Sequence, residues 1–261
     1  MEHAAANRGP STPTRVRINV GTADVPVDVT PLSSIINWII GEKRDTWAPV
    51  VTPNLHLLRQ VREAPGLSRL YSDAALSLPD GWPVAWLASR LSGKSVERVA
   101  GADLFQALIE QPGGGRPLVL VGGDPGPQLE ELYNRCRRLG WNVSSEPAPR
   151  EELTDRIARA ELVQRLARAG SGGVIVLGVG SPQKEELSEE IAALPGGGTI
   201  LAVGMSINFS AGVVNRAPQL VRTLRLEWLY RALSEPRRLL GRYIKDAFVL
   251  PKLAMLNPRP R

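Results

Sequence analysis

Four polar residues stand where apolar runs give way to turns, and they are the side chains best placed to do chemistry. Asp80 lies in "LPDGWPVAW" (78–86), between the apolar run Ala74–Leu78 and a second one. A carboxylate there can take a proton from a hydroxyl as a general base. It can also cap the helix that follows, and taken alone the cap is the default. Thr52 and Asn54 occupy "TPN" at the end of another apolar run, where Asn54 by default caps a helix starting at Leu55. Asn208 closes the turn "AVGMSIN" (202–208). Gly-rich turns at "GGD" (122–124) and "GVGSPQ" (178–183) complete the set; their glycines fit tight turns. They do not make G-x-G-x-x-G, so a dinucleotide fingerprint is weak. Trp82 and Trp86, four apart, read as core, and His56 as a satisfied or exposed histidine.

These turns need strands to hold them, and the pattern supplies strands. Short apolar runs at "APVV", "AALSL", "RPLVLV", "GGVIVLG" and "GGTILAV" alternate with amphipathic stretches such as "NLHLLRQVRE", "PQLEELYNRCRRLG" and "QKEELSEEIAAL". Continuous Val/Leu/Ile runs with helices between them predict an α/β fold with a mostly parallel sheet covered on both faces. In such sheets ligands sit at the carboxyl ends of the strands. Upstream, "RVRINVG" and "DVPVDVT" read as paired strands, and "PLSSIINWIIGEKR" as a helix with Pro31 at its start.

Composition narrows the functions. The 261 residues are 43% hydrophobic and 22% charged, which is globular. One cysteine, Cys136, excludes an intrachain disulfide and a Cys-based zinc site. With His3 and His56 as the only histidines, a His-rich metal site or a Ser/His/Asp triad is a poor expectation. No run of 18 apolar residues is present to span a bilayer. The opening stretch has no basic start followed by an apolar run, so it reads as a disordered tail over 1–14 rather than a secretory signal.

The net charge of +6 is unevenly placed. Residues 216–261 hold eleven Lys and Arg against three Asp and Glu, a surplus of eight, so the first 215 residues sum to −2. A helix is expected over 218–235, and a second, amphipathic one over 237–250 that ends at Pro251. The second carries Leu239, Leu240, Tyr243, Ile244, Ala247 and Phe248 on an apolar stripe, with Arg238, Arg242 and Lys245 beside it. A partner subunit in a homo-oligomer or a bilayer could cover that stripe. The tail "NPRPR" reads as disordered. The chain divides into a 15–215 α/β core and a 216–261 basic appendage.

Together these strings resemble the bacterial WecG/TagA/CpsF glycosyltransferases (glycosyltransferase family 26). The resemblance rests on "TPN", "PDGWPV", "RVAGADL" (98–104), "VLGVGSPQKEE" (176–186), "AVGMSINFSAGVVNRAP" (202–218) and "LEWLYRALSEPRRLLGRY" (226–243), in order over roughly residues 45–250. It implies a Rossmann-like core of the GT-E type with a C-terminal helical appendage. It also implies an inverting transfer from a nucleotide-sugar donor, typically UDP-linked, to a polyprenyl-diphosphate-linked sugar, in teichoic acid, common-antigen or exopolysaccharide synthesis. The implied setting is cytoplasmic, on the inner face of the cell membrane, with no metal ion and no other cofactor. Asp80 would be the catalytic base, with Thr52 a second catalytic candidate and Asn54 a substrate-binding one in the same pocket, and Arg231, Arg238 and Arg242 would reach the donor diphosphate. Arg98, Gly122, Gly123, Gln183, Lys184 and Asn208 are the further substrate-binding candidates.

The chemistry agrees. One carboxylate suffices as base for an inverting transfer. Without an Asp-x-Asp metal motif, arginines and backbone N–H groups must stabilise the leaving diphosphate. Two positions depart from the family: Lys184 stands where Gln is usual, and Asn208 where Asp is usual. The alternatives fit less well. A nucleotide-dependent oxidoreductase lacks the glycine spacing, and a nucleic-acid binder lacks aromatics interleaved with the basic residues.

Overall fold

The computed structural model describes residues 14–41, 43–215, 217, 218, 221, 227–234 and 236–259. The expected N-terminal tail lies outside the described residues except for Thr14, which opens the first strand.

A hairpin comes first: β1 (Thr14–Asn19) pairs antiparallel with β2 (Asp24–Val29). Then follow α1 (Leu32–Gly41), β3 (Trp47–Val51), α2 (Leu55–Glu63), α3 (Arg69–Ser72), β4 (Leu76–Ser77), α4 (Trp82–Ser92) and α5 (Gly101–Ile109). The second half holds β5 (Pro117–Val121), α6 (Pro127–Arg138), β6 (Asn142–Glu146), α7 (Arg150–Thr154), α8 (Arg156–Gly170), β7 (Val174–Leu177), α9 (Gln183–Ala192), β8 (Gly198–Ala202) and α10 (Ser206–Ala211). Two helices close the chain, α11 (Glu227–Ser234) and α12 (Pro236–Leu256). Of the helix expected over 218–235, residues 219, 220, 222–226 and 235 lie outside the described residues.

The main sheet has six strands in the order β4-β3-β8-β7-β5-β6, and every pairing is parallel. Its central strands β7 and β8 are apolar but for Thr199 and buried on both faces, as a parallel sheet requires. One face packs on α1, α5 and α6 through Ile35, Phe105, Leu108 and Leu132. The other packs on α8 and α9 through Leu162, Leu166, Leu187 and Ile191. A third core lies between the hairpin, α2, α4 and α12, with Val25, Leu58, Leu87 and Leu253. The expectation of a sheet between helices holds, with two elements unforeseen. Strand β6, "NVSSE", buries only Val143 and sits at the sheet edge, so it lacks the apolar run of a central strand. Helix α8 shows a ladder of Leu162, Val163, Leu166 and Ala167.

Helix α12 corrects a third expectation. It does not end at Pro251 but runs through it to Leu256. A proline inside a helix costs about 3 kcal/mol. Contacts in the last turn offset that cost: Leu253 is fully buried, and Asn257 is buried just beyond. The Asn257 amide donates to the carbonyls of Asn19 and Leu253, both at 2.8 Å, and accepts from the Asn19 N–H at 2.8 Å. Thus "NPRPR", read as disordered, begins with a residue that ties the last helix to β1.

The hairpin also braces the edge of the main sheet. Asp28 is fully buried, accepts two bonds from Arg15 at 2.7 and 2.8 Å, and accepts the Ser77 N–H of β4 at 2.8 Å. Among the described residues no helix is long and apolar enough to cross a membrane. Because Leu253 belongs to a core, Leu253→Ala is expected to cost about 3 kcal/mol in urea unfolding; an unchanged midpoint would mean that α12 is not packed on the rest of the fold.

Candidate active site

Strands β3 and β8 are neighbours, yet the helices that follow them enter different cores: α2 through Leu57 and Leu58, α10 through Ile207. A crevice opens at such a switch point, beyond the strand ends. Here it is a cavity of about 620 Å³. Its floor crosses four strand ends: Asp80 after β4, Thr52 and Asn54 after β3, Val203–Ser206 after β8, and Gly178–Ser181 after β7. Helix α12 forms a wall with Arg242, Tyr243, Asp246, Ala247 and Leu250.

Asp80 is positioned by its backbone. Beyond the last β3–β4 pair, the Leu78 N–H donates to the Val51 carbonyl at 2.8 Å and the Asp80 N–H to the Pro53 carbonyl at 3.0 Å. The Val99 N–H holds the Pro79 carbonyl at 2.9 Å from the other side. The carboxylate therefore emerges beside the Thr52–Asn54 turn on a clamped main chain. The N-cap position of α4 is not Asp80. Gly81 takes it, at φ +82°, where an L side chain would be strained. Asn54 does cap α2: its Oδ1 accepts the Leu57 N–H at 3.1 Å while the residue lines the cavity. Thr52 is buried, and its hydroxyl donates to the Ala202 carbonyl at 3.4 Å, joining β3 to β8 at the floor.

Arg98 lines the cavity and pairs with Asp103 of α5 at 3.2 Å. Lys184, in the first turn of α9, is buried at the cavity's other end and ion-paired with the buried Glu185, which also accepts the Ser181 hydroxyl at 2.9 and 3.0 Å. Arg242 projects from α12, its guanidinium 5.2 Å from the Tyr243 ring. Among the described residues its buried Nε finds no hydrogen-bond acceptor. A buried cationic donor without a partner is costly, and an anion entering the cavity would relieve it.

Other expected site residues lie off the cavity wall. Gly122 and Gly123, at φ +82° and +94°, turn the chain after β5; a Cβ on Gly123 would come within 3.0 Å of Ile207. Asn208 sits behind the wall, its amide donating to Asp124 at 3.0 Å and its oxygen accepting the Asp124 N–H at 2.8 Å. Gln183 opens α9 without being among the lining residues. Arg231 falls on α11 and Arg238 on α12, but their side chains lie outside the described residues.

Trp82, His56 and Asp246 are among the lining residues not foreseen. Trp82, expected in the core, is half-buried and lines the cavity, while Trp86 one turn on is 38% exposed. His56 and Asp246 meet across the wall. Asp246, buried, accepts from Arg59 Nε at 2.7 Å, and its Oδ1 lies 3.3 Å from His56 Nδ1. That nitrogen is also 3.1 Å from Arg59 Nη2, so it can donate to the carboxylate or accept from the guanidinium, not both. Arg59 is held in turn by Glu63 at 2.6 and 2.9 Å. The sequence signal for Asp246 is its being the one acid between residues 236 and 259.

The model of the glycosyl transferase WecG/TagA/CpsF family matches residues 20–259. The chain belongs to that family. The match includes α12, so the helix that walls the cavity is part of the WecG/TagA/CpsF unit. The six-stranded parallel sheet and the cavity at its carboxyl edge are therefore those of a glycosyltransferase.

The Asp246 contact makes the wall sensitive to acid. Burial alone would push its carboxyl up, but the bonds and charges of His56 and Arg59 outweigh burial and hold it below the ordinary carboxylate value. A carboxyl lowered on folding adds stability above its unfolded pKa of about 3.9 and loses it as pH falls through the folded value. Asp246→Asn is expected to cost about 2 kcal/mol at pH 7. Thermal unfolding of variant and parent should converge as pH drops below about 4; a gap that persists at pH 2 would contradict this.

Proposed function

We propose that the protein is an inverting glycosyltransferase that moves a sugar from a UDP-linked donor to a polyprenyl-diphosphate-linked acceptor, with Asp80 as general base. The observation carrying this reading is the clamped Asp80 backbone, which sets a carboxylate at a strand end of the cavity while Gly81 serves the helix start. In the reaction the acceptor hydroxyl attacks the donor's anomeric carbon. The bond from that carbon to the diphosphate oxygen breaks, UDP leaves with its electron pair, and Asp80 takes the hydroxyl proton. Arg242, whose buried Nε has no hydrogen-bond partner among the described residues, and Lys184 at the Gly-rich end support a diphosphate site. Thr52 and Asn54 shape the floor between base and diphosphate, and Arg98 sits beside the base. Arg231 and Arg238 are assigned to the same diphosphate.

The reading places a 15–215 catalytic core under a basic 216–261 segment that meets the inner face of the cell membrane. Helix α12 supports it. Its cavity side carries Arg242, Tyr243 and Asp246, and its outer side exposes Leu240, Ile244, Phe248 and Met255 with Arg237, Lys245 and Lys252. An exposed apolar stripe flanked by cations suits an anionic bilayer, where each cation adds about 1 kcal/mol. The products would enter cell-surface polysaccharide synthesis.

Two outcomes are expected. In a screen of UDP-hexoses and UDP-N-acetylhexosamines with a short-chain prenyl-diphosphate N-acetylglucosamine, Asp80→Asn should lower transfer about 10³-fold while UDP binding by calorimetry is kept; near-parental transfer would remove Asp80 as base. The triple variant Leu240→Ser, Ile244→Ser, Phe248→Ser should lose flotation with anionic liposomes, and undiminished flotation would remove the anchoring role of α12.

A further inference from the structure

Trp82 and Trp86 stand out among the tryptophans. Trp38, Trp47 and Trp141 are buried, at 3–5% exposure. Helix α4 already has a full buried face in Pro83, Val84, Ala85, Leu87 and Ala88, and the two indoles lie outside it. Trp82 lines the cavity two residues from Asp80, and its indole N–H has no partner among the described residues. Arg90, one turn beyond Trp86, lies 5.8 Å from the Trp86 ring and donates to the Asn257 carbonyl at 2.9 Å, which fixes the outer end of this face. Trp82 is only partly covered, and what it leaves uncovered lines the cavity beside a carboxylate, which suits a ligand contact.

The strand order says which ligand. The floor runs from Asp80 on β4, across β3 and β8, to the Gly-rich turn and Lys184 beyond β7, three strand spacings or roughly 14 Å. The Gly-rich backbone turns are at the β7 end, where their N–H groups suit a diphosphate; of the cations, Lys184 there is paired with Glu185, and Arg98 is held by Asp103. The base is at the β4 end, and a base must touch the hydroxyl it deprotonates. The ring bearing that hydroxyl therefore lies at the β4 end, against α4. A pyranose has an apolar C–H face that packs on an indole, and the indole N–H can bond one of its hydroxyls.

We propose that Trp82 is the stacking platform for the acceptor's sugar ring, orienting its nucleophilic hydroxyl towards Asp80. This rests on the transferase reading above and assigns one ligand within it. Trp82 is a binding and positioning residue; the proton goes to Asp80.

The test uses the full chain, a UDP-sugar that the wild type accepts, and the short-chain prenyl-diphosphate N-acetylglucosamine as acceptor. Trp82→Ala should raise the acceptor KM about tenfold, the loss of one aromatic contact of roughly 1.4 kcal/mol, with donor KM and UDP affinity unchanged. Trp82→Phe should recover most of the loss. Acceptor should quench tryptophan fluorescence in the wild type, and that quench should be much reduced in Trp82→Phe, which keeps the readout available if Trp82→Ala fails to fold. An unchanged acceptor KM, or a quench untouched by Trp82→Phe, overturns the platform while transfer by the wild type leaves the enzyme reading standing. An equal loss of UDP affinity would assign Trp82 to the donor and also overturns it. If the wild type transfers from no UDP-sugar, the transferase reading fails and the platform with it.

Discussion

Two backbone hydrogen bonds beyond the end of the β3–β4 ladder, Leu78 to Val51 and Asp80 to Pro53, set the geometry on which the rest of the site depends. Only two residue pairs join β4 to β3, so the edge strand has little ladder of its own. The extra bonds continue the parallel register into the turns, where Thr52, Asn54 and Asp80 emerge side by side. Asp28 adds a brace from behind by accepting the Ser77 N–H. A side chain used in chemistry needs a main chain that does not wander, because small misplacements of a reacting group are expensive in rate. The parallel sheet supplies that main chain at its carboxyl edge.

The second constraint is that α12 faces two ways. Its inner face belongs to the protein: Leu239 and Leu253 are buried, and Asp246 is bound to Arg59 and His56 of α2. Its outer face is apolar and exposed. Arg242 and Tyr243 of the same helix line the cavity. Asp246 of the pair to α2 is buried although it lines the cavity, and breaking a buried pair costs more than breaking one at the surface.

Much of this was legible in the residue order. The Val/Leu/Ile runs of β3, β5, β7 and β8 announce a buried parallel sheet, and the strand-end turns announce where a ligand would lie. Edge strand β6 was not legible, because an edge position needs no continuous apolar run and "NVSSE" has none. The end of α12 was misread because Pro251 is a local signal and Leu253 with Asn257 act through tertiary contact. Whether Asp80 or Gly81 takes the N-cap depends on a positive φ that no composition rule displays. Trp82 and Trp86 share the i, i+4 spacing of core residues, and only the rotation of α4 about its axis shows that they lie outside the buried face. Asp246 meets Arg59 across 187 positions of sequence, beyond any local pattern. Gly122, Gly123 and Asn208 have the residue types of a ligand turn, and their placement off the cavity wall depends on how the turns pack, which residue type does not show.

The role of Asp80 is tested most directly by changing the nucleophile rather than the base. A thiol ionises near pH 8.5 and needs little help to attack, whereas a sugar hydroxyl does need help. Transfer by Asp80→Ala should be compared on two acceptors, one with its natural attacking hydroxyl and one bearing a thiol in its place, at about pH 9. If Asp80 is the base, the variant is inactive on the hydroxyl acceptor and recovers transfer to the thiol acceptor. An equal loss on both acceptors would contradict the account and make Asp80 a residue of binding or structure.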